Sequence, residues 1–377
     1  MADARETNER RLRRLQQMRK TGSVAEASEA LEGIWKAGKK PELIVLRRAL
    51  LQADGNRSRL TRLVLPRGVA LRFYLLALFE AQCRLDAGDL WHNVRPLKGA
   101  ESWSTLVGID GAYDTASGTY DSALKNMPSD LWGSASAEGR WRMRKLEDLR
   151  LRQVKGALRT LEELGQEDAL VSIPRGARGQ RVYTDFSLME EGGRGDMQAP
   201  NLYTVPGRGS ATTTITLPKD FFLKGWIQVL NPSEVATWLI LRWLSQWASR
   251  KHRVSGVFLT TRPRMQAFGL RDDAWEDGCQ RLLEFGLIRH AEPPKGLTAA
   301  LDAIADPVIT ALFSQPTRVR QPYQPHFWQM TDDGLAKNAM QALDRELIHR
   351  REALANGAMT RVSHDTEPFA GHAPADD

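Results

Sequence analysis

The chain has 377 residues, 42% of them hydrophobic, with a formal net charge of +7 and a sequence pI of about 9.5. That length suggests two or three domains with enough apolar content to fill their cores, and the basic balance favours polyanionic partners wherever the cations cluster. Cys83 and Cys279 lie too far apart for a disulfide framework or a metal knuckle, the amino terminus lacks the apolar core of a signal peptide, and no apolar run is long enough to span a membrane, so a cytoplasmic, nucleoid-associated protein is expected.

Residues 5–20 are rich in arginine, with Leu12, Leu15 and Met18 as a thin apolar stripe. They can form a helix only when docked; a basic arm for nucleic acid and a frayed terminus are equal readings. Residues 23–36 carry Val24, Ala27, Leu31, Ile34 and Trp35 at helical spacing behind a Ser23 cap, and a break at 38–41 leads to a second helix of Leu43, Leu46 and Leu50. Asp54, Gly55 and Asn56 form a turn, 60–65 alternates weakly as a short strand, and Pro66 opens an apolar helix through Phe73, Leu76 and Phe79 to Leu85. The long connection that follows holds Trp103, Trp132 and Trp141, rings costly to expose, so it should fold over its neighbours; stacking on nucleobases is the less favoured role.

Leu151, Val154, Leu158 and Leu161 recur at three- and four-residue steps and predict a helix with one buried stripe. Arg152, Lys155 and Arg159 share another, solvent-facing side. Gly165 suits a stop, 169–173 a short strand, PRGARGQR a tight basic turn and 182–188 a returning strand. Residues 190–209 are loop, after which the pattern restarts. Asn231-Pro232-Ser233-Glu234 announces a core helix carrying Val235, Trp238, Leu239, Trp243 and Leu244; 257–260 is strand-like, 263–268 a short helix, and Asp272 caps a third helix that ends before Gly286 and another strand. Residues 297–313 look helical, the proline-spaced run to Met330 extended, 331–354 a last amphipathic helix, and the tail disordered.

The order helix, strand, basic hairpin, strand, with LEELG followed by ALVSI, resembles the recognition helix and wing of the winged helix-turn-helix superfamily, and the second half resembles a repeat of it. The expected fold is therefore mainly α with small β-wings (α+β): a basic arm and helical hairpin over 1–58, a first winged helix with an insertion over 59–190, a linker over 191–213, a second winged helix over 214–296, a helical extension over 297–354 and a disordered tail over 355–377. The resemblance implies double-stranded DNA as partner. Arg150, Arg152, Gln153, Lys155 and Arg159 would face the groove, Arg175, Arg178 and Arg181 would serve the wing, and Arg262 and Arg264 would touch backbone from the second module. The third helix of that module departs from the pattern, because Asp272, Asp273, Glu276, Asp277 and Glu284 would be repelled by phosphate. The first module should then carry most groove contacts, while the second module or the C-terminal helix serves a protein partner or a homodimer. Tandem modules with a basic arm resemble plasmid and phage replication initiators; a transcriptional regulator of a mobile element and a protein–protein adaptor are the alternatives.

Sequence signals for chemistry are lacking. No Walker-type loop occurs, the seven histidines have no metal-gripping spacing, adjacent aspartates on a helix point apart, and there is no nucleophile elbow. No catalytic residue, metal or cofactor is expected.

Overall fold

The computed structural model describes residues 2–52, 57–64, 69–108, 113–114, 119–120, 137–207, 209, 213–291 and 327–355. Its first half runs α1 (Ala2–Thr21), α2 (Ser23–Ala37), β1 (Leu43–Arg47), α3 (Arg59–Val64), α4 (Val69–Arg84), α5 (Trp103–Leu106), β2 (Tyr113–Asp114), β3 (Thr119–Tyr120), α6 (Ala137–Glu162), β4 (Val171–Ser172) and β5 (Ser187–Leu188). The second half runs β6 (Thr214–Pro218), α7 (Asp220–Leu223), α8 (Trp226–Val229), α9 (Pro232–Trp247), α10 (Ser249–Ser255), α11 (Thr261–Ala267), α12 (Asp272–Glu284), β7 (Ile288–His290), β8 (Trp328–Met330), α13 (Asp332–Leu335) and α14 (Ala339–Ala355). The molecule is mainly helical with small antiparallel two-stranded sheets.

Two helices organise the core. Every residue of α4 from Val69 to Cys83 is buried, as is every residue of α9 from Glu234 to Ser245, which is what a helix apolar on all sides demands. Several of their polar side chains are paired, while Arg72 Nε, Thr237 Oγ1 and Trp243 Nε1 are buried without a hydrogen bond. Glu80 accepts from the Trp91 indole at 2.7 Å, and the Gln82 amide pairs with both backbone groups of Val45, at 2.8 and 2.7 Å. Arg242 donates to the Thr216 carbonyl at 3.0 Å and to Asp332 at 2.6 Å. Such pairing keeps polar groups in a core from costing their full desolvation. Around α4 pack α2, α3, α6 and β1; around α9 pack α3, α10, α12, β6 and β8.

The two halves interlock. β1 pairs antiparallel with β6, from Leu43 opposite Pro218 to Arg47 opposite Thr214. The Ser58 and Thr61 hydroxyls both donate to the Phe268 carbonyl, at 2.8 and 2.9 Å, tying the start of α3 to the turn between α11 and α12. Where α2 ends beside α4, only a glycine fits: a Cβ on Gly38 would lie 2.1 Å from the Cys83 carbonyl oxygen. Both cysteines are free and buried.

Several sequence-based expectations are corrected. Residues 43–50 form a strand and a 3-10 turn, not a helix: Ile44 and Val45 are β-branched, and β6 supplies a partner that their local spacing could not reveal. Residues 59–64 are helical, not a strand, with Leu60 and Leu63 on one buried side. Ser23 is the first helical residue of α2, and its cap is Gly22 at φ 68°. Arg271, not Asp272, caps α12. Residues 331–354 split into α13 and α14. α1 is neither an arm nor frayed. Leu12, Leu15 and Met18 are buried against α14, and the Asn8 amide donates to the Leu347 carbonyl at 3.1 Å. The segment from 190 to 207 contains no helix or strand yet is packed: Glu191 and Tyr203 are wholly buried, and bridges join Met189 to Leu202 and Leu90 to Thr204. Trp103 is buried in α5, whereas Trp132, the turn at 54–56, Pro66, the helix expected at 297–313 and the tail from 356 lie outside the described residues.

Candidate nucleic-acid interface

The C-terminal half of α6 presents two opposed faces. Leu146, Leu149, Val154, Ala157, Leu158 and Leu161 are buried against the core, while Arg152 and Arg159, and Glu163 just past the helix end, are exposed. Beyond the helix the chain turns at Gly165, φ 138°, and the Leu170 N–H donates back to the Leu161 carbonyl at 3.0 Å. A hairpin follows. Val171 lies opposite Leu188 and Ser172 opposite Ser187, and an isolated bridge pairs Arg175 with Arg181. Its tip is closed by the Gly176 N–H donating to the Gln180 carbonyl at 2.8 Å, with Gly179 at φ 74°. The returning arm is shorter than the strand expected over 182–188, because Tyr183–Asp185 is a 3-10 turn.

The cations on this surface fall into two groups. Arg152, Arg159 and Arg178 are exposed and have no ion-pair or hydrogen-bond partner for their guanidinium groups among the described residues. The others are engaged. Arg181 donates to Glu162 at 2.7 Å and Glu163 at 2.8 Å, and its pKa is raised chiefly by the Glu162 bond. Arg175, 53% exposed, has its guanidinium 3.7 Å from Glu162. Lys155 is half-buried with its ammonium 5.5 Å from the Tyr183 ring centroid.

Four expected contact residues are placed elsewhere. Arg150 is buried on the core side of α6 and donates to Glu26 at 3.1 Å, since it follows Leu149 on the inward stripe. Gln153 is half-buried and its Oε1 has no access to solvent. Arg264 is almost completely buried: its guanidinium lies 5.5 Å from the Trp275 ring centroid, donates from Nε to the Leu270 carbonyl at 3.1 Å, and pairs with Asp272. It braces the turn between α11 and α12. Arg262 is exposed on α11 and is engaged within the chain.

The acidic character of α12 has a local explanation. Glu284 receives Arg281 at 2.8 Å, the Gln280 amide at 3.1 Å and Arg350 from α14. Arg11 of α1 reaches across to the start of α9, donating to Glu234 through both terminal nitrogens, one at 2.7 Å, and lies 4.9 Å from the Phe285 ring centroid. Between α1, α9 and α12 is a pocket of 270 Å³ whose polar wall includes Arg10, Arg14, Asp277 and Arg281. One flank of α12 therefore faces arginines that the chain itself supplies from both terminal helices.

The residues overlooked in the sequence are Glu162, Glu163 and Tyr183, which tie the hairpin to the helix. One signal was present: two carboxylates in the last turn of a helix oppose its macrodipole and call for cationic partners. Among the described residues, no three His, Cys, Asp or Glu side chains gather to hold a metal ion, and no helix is long and apolar enough to cross a membrane. No family model, no curated protein and no solved structure matches this chain, so its function must be read from its own geometry.

Proposed function

We propose that the protein binds double-stranded DNA without modifying it, through α6 and the hairpin that follows. The observation that carries this reading is the set of unengaged guanidinium groups, Arg152, Arg159 and Arg178, on one helix and its adjoining tip, while the cations of α11 and α12 are taken up by neighbours. Arg152 and Arg159 are two turns apart and so lie about 10 Å from each other along the helix. That span covers about three base pairs, suited to a helix laid in a major groove with the hairpin tip on a flanking phosphate.

The winged-helix reading gains support from the second half. There α9, α11 and α12, with the short α10 between the first two, are followed by β7 and β8, and Val257 is bridged to Trp328, an order that resembles a winged helix with one added helix. In the first half three helices, α4, α5 and α6, likewise precede a hairpin, β4 and β5, although β2 and β3 intervene between α5 and α6. The biological role we favour is initiation or control of replication on a plasmid or phage, where paired modules grip repeated sites; fold alone does not choose the role.

A gel-shift titration of the full chain on duplex DNA at several salt concentrations tests the proposal. Binding should weaken steeply with salt, and Arg152→Ala/Lys155→Ala/Arg159→Ala should flatten the dependence by about two counterions, one for each unengaged arginine removed. Arg250→Ala, which removes an exposed arginine of α10, should change little. Equal losses in both, or no binding to any duplex, would defeat the DNA reading. Selection of bound fragments from the source genome separates iterated origin sites from a lone operator.

A further inference from the structure

Glu162 is an awkward residue for a DNA-binding surface. It is a carboxylate in the last turn of α6, three residues beyond Arg159, where both the helix dipole and a nearby phosphate would disfavour it. Its side chain is nevertheless only 13% exposed, and its two oxygens have different tasks. Oε1 accepts the Ile173 backbone N–H at 3.2 Å, at the outgoing arm of the hairpin. Oε2 accepts Arg181 Nε at 2.7 Å on the returning arm and has the Arg175 guanidinium 3.7 Å away. One side chain thus holds both arms of the hairpin to the end of the helix. The sheet itself contributes little, since β4 and β5 pair over only two residues each. Lys155 against Tyr183 is a second, weaker link.

We infer that Glu162 is the positioning residue of the interface: it fixes the hairpin relative to α6 so that Arg178 at the tip and Arg152 and Arg159 on the helix engage one duplex together. This rests on the DNA-binding reading. It assigns Arg175 and Arg181 to the inner support of the hairpin and leaves Arg178 as the contact. Glu162 is thereby retained within a cationic surface because the geometry it imposes outweighs the repulsion it adds.

The inference has a sign that electrostatics alone does not share. Removing a negative charge from a DNA-facing surface should, by Coulomb's law, strengthen binding. Glu162→Ala is expected instead to weaken it roughly fivefold and to lower the salt dependence by about one counterion, the loss of a single phosphate contact. Glu162→Asp, which keeps the charge but is one methylene short, should weaken binding in the same direction. Adding Arg178→Ala to Glu162→Ala should cost nothing further, whereas in the unmutated chain Arg178→Ala should cost the same fivefold. Circular dichroism melts of the full chain establish that each variant is folded. If Glu162→Ala does not fold, Glu162→Asp, alone and with Arg178→Ala, decides the matter by the same comparison. The inference is overturned if the folded Glu162 variants bind as tightly as the parent with undiminished salt dependence, or if Arg178→Ala weakens them as much as it weakens the parent. If the Arg152/Lys155/Arg159 variant also binds like the parent, the DNA reading itself has failed; if that variant loses binding while the Glu162 variants do not, only the positioning role has failed.

Discussion

Among the described residues, the contact between Arg11 and Glu234 should be the most costly single ion pair to break. The two side chains are 8% and 3% exposed, the pairing uses both guanidinium termini and both carboxylate oxygens, and Glu234 additionally accepts the Asn231 backbone N–H at 2.8 Å to cap α9. Removing one member of a buried pair strands the other charge, at about 3–5 kcal/mol, whereas replacing both by neutral groups of similar volume is close to neutral. Arg11→Met should therefore cost about 3 kcal/mol, because Glu234 keeps its cap contact and the new side chain still covers Phe285. Glu234→Gln should cost about as much, leaving Arg11 buried against an amide. The double variant should recover to within about 1 kcal/mol of the parent, a coupling of several kcal/mol. Urea unfolding followed by tryptophan fluorescence reads this out, since Trp226 and Trp238 are wholly buried in the core that α1 covers. Single variants that cost less than about 1 kcal/mol, or a double variant whose cost equals their sum, would show that the pair is a surface ornament and that α1 is not anchored through it.

Two other perturbations have defined outcomes. His252 accepts the Met330 N–H at 2.8 Å through Nε2, so it must be neutral, and burial first, then the neighbouring Arg242, lowers its pKa from 6.5, with Arg289 and Arg253 acting in the same direction and Asp332 opposing. Protons then bind the unfolded chain before the folded one. The stability tied to this group is full above about pH 6.5 and is lost as pH falls toward the lowered folded value, so the protection of the Met330 amide, taken relative to its intrinsic exchange rate at each pH, should fall as pH drops below about 6.5. His252→Gln, which retains an acceptor, should remove that dependence; an unchanged pH profile in the variant would exclude His252 as its source. Arg264→Met should lower stability by about 3 kcal/mol while leaving duplex affinity of the folded fraction unchanged, because this arginine is buried and braces a turn. Loss of affinity at full stability would return it to the binding surface.

What could be read from the sequence and what could not divide along local and distant causes. The start of α9 was legible because Asn231, Pro232 and Glu234 carry their meaning within one turn, and Gly165 and Gly286 marked helix ends by the same local logic. The unengaged face of α6 was legible as well, since Arg152 and Arg159 repeat at helical spacing opposite Val154 and Leu158. Arg150 and Arg264 were misplaced because a cation in a basic stretch looks the same whether it faces water or a buried partner, and the partners are far away or hidden in a fold: Glu26 for one, Trp275 and the Leu270 carbonyl for the other. The strand at 43–47 escaped for a similar reason, its leucine spacing suiting a helix until β6 is seen beside it. The acids of α12 look unpartnered in sequence because counter-charges for this helix sit on helices at both termini.

The pairing of Leu43 through Arg47 with Thr214 through Pro218 also sets an order of events. During vectorial synthesis the early strand leaves the ribosome and must wait until roughly 170 further residues have been made before its mate emerges, a closure of high contact order. Until then its apolar side chains, Ile44 and Leu46 among them, are open to wrong associations or to chaperones. Cutting the finished protein in the 190–207 segment should not release two independent pieces, because the halves remain zipped along that ladder. Expressing residues from either half alone would leave an unmated edge in each.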